Sequence, residues 1–166
     1  MNHEPIAISQ KEIDQLAKKI ETDLEDRGMG SLSSLGEQFH NMDSQERIAI
    51  ANQIRDNQRN PFNLFMPHIE FTASGDVKSA RVTEMTYSGP ETENCTYDIA
   101  TGKMKTYDLK TIESVEHNSY NYDAKTGKLK TDDTEYLNYS VGKTERSQIK
   151  YGPNTIFGAP EFDISH

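Results

Sequence analysis

The chain has 166 residues, with 27 acidic and 18 basic side chains and a net charge of −9. The acidity is even: residues 1–58 hold 11 acidic and 6 basic groups (net −5), and residues 59–166 hold 16 and 12 (net −4). Neither part supplies the positive field that nucleic acid or an anionic membrane surface attracts, so both are excluded as expected partners.

The first element is a helix over "SQKEIDQLAKKIETDLEDRG". Ser9 and Glu12 form a capping box, and Ile13, Leu16, Ala17, Ile20 and Leu24 follow as one helical stripe. Gly28 and Gly30 are expected to end it. A shorter helix over "SLSSLGEQFHNM" places Leu32, Leu35 and Phe39 on one side. A third, over "MDSQERIAIANQIRDN", starts at Asp43 with Glu46 three residues on. Its expected buried stripe is Ile48, Ala51 and Ile54, with Ile50 beside it. Short connections predict antiparallel packing over a helical segment, 1–58.

Residues 59–68 break the pattern. Pro61 and Pro67 forbid helix, and Phe62, Leu64, Phe65 and Met66 crowd the space between them. A solvated linker does not carry such a run, so the segment reads as an ordered apolar crossover. The same four residues are the sequence's candidate partner-binding residues, as an exposed apolar patch.

From residue 69 to 166 the period becomes that of strands. Ile69 and Phe71 alternate, and Arg81, Thr83, Met85 and Tyr87 share one face, with Ala80 and Val82 on the other. Cys95, Tyr97 and Ile99 form another face, then Lys105, Tyr107 and Leu109, then Leu137, Tyr139 and Val141. Within this region "YDIATGKMKT" (97–106) returns as "YDAKTGKLKT" (122–131), with Gly102 and Gly127 supplying the positive φ of a tight hairpin turn. "TASGDVKS" is a degenerate third copy that aligns Gly75 with Gly102. A hairpin and its return take about 25 residues, which predicts an α+β protein whose short N-terminal helices precede an antiparallel β-meander of repeated hairpins. The tail "YGPNTIFGAPEFDISH" reads as chain lying along the sheet or as a short partner-binding peptide.

The two decapeptides resemble the hairpins of YD-repeat shells and of MORN-like tandem repeats. Their Asp-x-x-Thr-Gly turn is similar to that of quinoprotein-type β-propellers, although this chain has no tryptophan. The resemblance covers 97–106 and 122–131. It implies hairpin repeats and an interaction scaffold, and it carries over no site residue.

Chemistry-bearing patterns are sparse. The histidines at 3, 40, 68, 117 and 166 pair at no metal-ligand spacing, and the lone Cys95 alternates with core-type residues, so no metal, cofactor or catalytic residue is expected. "YSVGKTE" lacks the first glycine of a phosphate loop. Asp132, Asp133 and Glu135 read as a solvated turn or edge. The tyrosines at 97, 107, 120, 122, 136, 139 and 151, with Lys105, Lys110, Lys128 and Lys130, could stack bases or sugars, but half-buried strands favour tyrosine anyway. The start "MNHEPIAISQ" has no basic and apolar leader pattern, which predicts a cytoplasmic chain; the module it is expected to form is of bacterial type. The leading expectation is a non-enzymatic binding or scaffold module with a protein partner. The alternatives are an enzyme site assembled from His68, Glu70 and His117, and a small-ligand carrier with a tyrosine-lined sheet.

Overall fold

The computed structural model describes residues 8–26, 29–59, 67–152 and 160–165. Three helices, α1 (Gln10–Glu25), α2 (Met29–His40) and α3 (Ser44–Gln58), come first. Eight strands follow: β1 (His68–Phe71), β2 (Val77–Thr86), β3 (Gly89–Tyr97), β4 (Met104–Lys110), β5 (Ser114–Tyr122), β6 (Leu129–Asn138), β7 (Lys143–Tyr151) and β8 (Pro160–Ser165). They lie in the sheet in chain order, which is the expected α+β meander. The chain divides into two compact units, one of residues 1–83 with 94–104 and the other of residues 84–93 with 105–166.

The first unit holds the core. Ser9 caps α1 by accepting from the amide of Glu12, and Asp43 caps α3 by accepting from that of Gln45. Ile13, Ala17, Ile20 and Leu24 of α1 are buried, as are Leu32, Leu35 and Phe39 of α2. Gly30 does not end α1; it lies inside α2, and Asp26 caps α1 instead. In α3 the buried residues are Ile50, Ala51 and Ile54, while Ile48 is exposed, which corrects the expected stripe. At about 100° per residue, Ile50, Ile54 and Ala51 span an arc of about 100°, and Ile48 falls about 60° beyond its edge. Against the helices, β1 to β4 bury Ile69, Val77, Ala80, Val82, Cys95, Tyr97 and Met104.

Polar bonds fasten helices to strands in this unit. The Tyr97 hydroxyl donates to the Leu32 carbonyl and lies 3.2 Å from the Cys95 Sγ. Burial pushes its pKa well above the ordinary tyrosine value. Arg47 donates to the Ser74 carbonyl at 3.0 Å, and Arg55 donates to that of Thr72 at 2.7 Å while lying over the Phe71 ring. Phe71 in turn packs on Phe39, with centroids 5.2 Å apart.

The second unit is built differently. Among its residues whose burial is described only Tyr107 and Asn118 are buried, the others being half-buried or exposed. Cross-strand side-chain pairs hold it together instead. On one face Asn121 donates to Thr131 and Asp133, Gln148 donates to Asp133, and Arg146 donates to Glu135. On the other, Asn118 donates to the Tyr107 carbonyl and accepts from Thr134. The expected solvated turn or edge at Asp132, Asp133 and Glu135 is instead the middle of β6, which is paired on both sides by β5 and β7. Desolvation, with Asp133 and Glu116 nearby, raises the Asp132 pKa.

The repeated decapeptide forms matching turns. In each, the aspartate backbone brackets the loop, with Asp98 bonded to Lys103 and Gly102, and Asp123 bonded to Lys128 and Gly127. Each carboxylate accepts from a loop amide, Ala100 for Asp98 and Lys125 for Asp123. Gly75, Gly102 and Gly127 all have positive φ, as the alignment of the three copies predicts. A fourth version closes β6 to β7, where Asn138 accepts from Ser140 and Gly142 has a φ of 71°.

The crossover residues Phe62, Leu64, Phe65 and Met66 lie outside the described residues. Of the tail, Pro160–Ser165 pairs antiparallel with β7.

Candidate functional site

In a meander, alternate hairpin turns fall at the same end of the sheet. Three such turns belong to the second unit: β2 to β3 at 87–88, β4 to β5 at 111–113, and β6 to β7 at 139–142. Each is braced by the residue before it or at its start. Thr86 Oγ1 accepts from the Ser88 amide and donates to the Gly89 carbonyl. Thr111 Oγ1 accepts from the amides of Glu113 and Ser114. Asn138 accepts from Ser140. Short hydroxyl or amide side chains that bond their own turn make it rigid without a core.

The turns also bear on each other. The Tyr139 amide donates to the Glu113 carbonyl at 2.8 Å, joining the second turn to the third. Ile112 lies over Gly89, joining the second to the first: a methyl group on Gly89 would stand 3.0 Å from the Ile112 Cγ2. Gly89 has a φ of 112°, so this close approach and this backbone both call for glycine.

Rigid turns this close would ordinarily carry polar side chains. These carry Tyr87, Ile112, Tyr139 and Val141, all exposed, with Val141 at 71% and Ile112 at 59%. Met85, just before the first turn, is exposed as well. Pro90, Ile112 and Tyr139, with Thr92, Thr111 and Lys110, line an open recess of about 440 Å³. An apolar patch of this kind, held on braced backbone and left to solvent, is a candidate docking surface.

The strand alternation read from the sequence runs too far at these points. Tyr87 and Val141 were expected to share strand faces with Met85 and Tyr139, but β2 stops at Thr86 and β6 at Asn138. Ile99 likewise falls in a turn and is exposed, while Cys95 and Tyr97 are buried. A bulky apolar residue immediately after a turn-forming Thr or Asn was the available signal.

The other candidates stand as follows. His68 and Glu70 share a face of β1 and are exposed beside a recess lined by Arg55, Arg59, Phe71 and Lys78. His117 bonds Asp108 through Nδ1 and lies 3.2 Å from the Ser119 Oγ through Nε2, a pairing the sequence reading did not make. This Asp–His–Ser row has the connectivity of a nucleophilic triad. Its surroundings oppose that chemistry: Ser119 is in register with Asp133, and His117 with Glu135. An alkoxide or oxyanion would form beside two carboxylates, which opposes a nucleophilic reading of the row. Cys95 is buried with its sulfur on the Tyr97 hydroxyl and the Ala80 carbonyl. Among the described residues no three His, Cys, Asp or Glu side chains are placed to hold a metal ion, and no helix is long and apolar enough to cross a membrane.

No protein family, curated protein or solved structure matches the chain.

Proposed function

We propose that the protein is a non-enzymatic binding module that docks on a partner protein through the turn tips of the second unit. The observation that carries this reading is the exposure of Tyr87, Ile112, Tyr139 and Val141 on three braced turns, the middle one of which touches each of the others. Burying such side chains against a partner releases water from apolar surface, at a cost of about 0.5 to 1.5 kcal/mol of entropy for each side chain immobilised. Tyrosine suits the role because its ring buries area while its hydroxyl keeps a polar partner. A cytoplasmic setting agrees with a single free thiol held in the core.

The test is affinity capture from extract with wild-type chain and with Ile112→Glu, compared by quantitative mass spectrometry. The reading expects proteins retained by the wild type and lost from the variant, with both chains equally folded by circular dichroism. Identical captured sets overturn it, as does turnover of a substrate by the purified chain.

A further inference from the structure

A second recess lies against the first. It encloses about 190 Å³ and shares Pro90, Thr111 and Ile112 with the apolar one, so these residues form the wall between the two. The second recess is acidic: Glu91 and Glu113 line it. Among the described residues neither carboxylate has a hydrogen-bonded or ionic side-chain partner. Of the hydroxyls that share its lining, Thr86 is engaged to the Gly89 carbonyl, Thr111 to the Glu113 and Ser114 amides, and Ser114 lies 3.1 Å from the Thr111 hydroxyl; Ser88 lines it as well. The recess therefore presents two carboxylates, next to a recess where Pro90, Ile112 and Tyr139 supply ring and aliphatic surface and Lys110 lies at the lining.

Resting on the docking reading above, we propose that the partner is a peptide segment carrying an apolar side chain with a lysine or arginine within a few residues of it. The apolar group seats against Ile112 and Tyr139, and the cation crosses the Pro90–Ile112 wall to Glu91 and Glu113. Charge complementarity argues for this occupant. A second copy of a chain with net charge −9 would bring more acid to the site, and nucleic acid would bring phosphate to two carboxylates. A guanidinium or ammonium on a long apolar stem fits the combination, since the stem lies along the wall while the charged head reaches the acid.

The experiment is selection of a random displayed peptide library on the immobilised full chain. Affinities of the winning peptides are then measured by fluorescence anisotropy on wild type, Ile112→Glu and the double variant Glu91→Gln/Glu113→Gln. Enrichment of apolar residues beside Lys or Arg is expected. So is a loss on the order of tenfold in the Gln double variant, diminishing as salt is raised. Peptides that are apolar without a basic preference, and bind the Gln variant unchanged, overturn the charge pairing and leave the docking reading intact. Peptides that bind Ile112→Glu as well as wild type overturn the docking reading itself. A wild-type dimer in sedimentation that Ile112→Glu dissociates makes the occupant a second copy and overturns the peptide proposal. Thermal melts of each variant confirm that the fold is retained, and Tyr139→Ala provides a second route to the same loss if Ile112→Glu fails to fold.

Discussion

Gly36 of α2 and Gly102 of the β3 to β4 turn meet backbone to backbone. A methyl group on Gly36 would stand 2.3 Å from the Gly102 carbonyl oxygen and 2.5 Å from the Tyr97 ring, and one on Gly102 would stand 2.6 Å from the Gly36 oxygen. Neither site can accept a side chain unless helix or turn moves. Gly102 also has a φ of 75°. Gly36→Ala is therefore expected to lose on the order of 2 to 4 kcal/mol in urea unfolding, with Gly102→Ala similar or worse. A change below about 0.5 kcal/mol in both would show that the contact is not made.

The Tyr97 hydroxyl links this turn's strand to α2 through the Leu32 carbonyl. Tyr97→Phe keeps the ring and removes the bond. The expected cost is about 1 to 2 kcal/mol by chemical denaturation, because the carbonyl it served is left buried.

Asp132 is held in its protonated form more strongly when folded than when unfolded, because its pKa is raised by desolvation. With more protons bound to the native state, stability falls as pH rises from the ordinary carboxylate range through the raised value. Asp132→Asn removes that penalty. Its melting temperature is expected to exceed that of wild type at pH 7, with the gap closing toward pH 3. A gap that does not change with pH would contradict the assignment.

The Asp108, His117 and Ser119 row is expected to do no hydrolysis. Wild type and Ser119→Ala should release nitrophenolate from p-nitrophenyl acetate at the same rate, at every pH from 5 to 9. A wild-type rate on the order of a hundredfold above that of the variant would restore the nucleophilic reading.

The hairpins were legible because their turns are local chemistry. Asp98 with Gly102, and Asp123 with Gly127, carry the loop acceptor and the positive φ in the sequence itself. The turn at Asn138–Gly142 uses the same geometry but has Asn for Asp and Val for Thr, so the alignment missed it. The helix caps at Ser9 and Asp43 were legible for the same reason. The exposed apolar patch was not. Period-2 patterning cannot tell a strand residue from one just past the strand's end, so Tyr87 and Val141 read as sheet. Nor could spacing show that the turns at 87–88, 111–113 and 139–142 touch, since that depends on the Tyr139 to Glu113 bond and on Ile112 lying over Gly89. The His117 pairing was hidden likewise, because it joins residues 9 apart on two strands.

The turn tips are proposed to dock a partner. The most direct measurement places a benzophenone photo-cross-linker at position 139, and as controls at positions 19 and 148, in otherwise wild-type chain exposed to extract. The account predicts a discrete cross-linked protein at 139 alone, abolished by Ile112→Glu, whose cross-linked residue is apolar with a lysine or arginine close by. Equal cross-linking at all three positions, or a product at 139 that persists in Ile112→Glu, would contradict it.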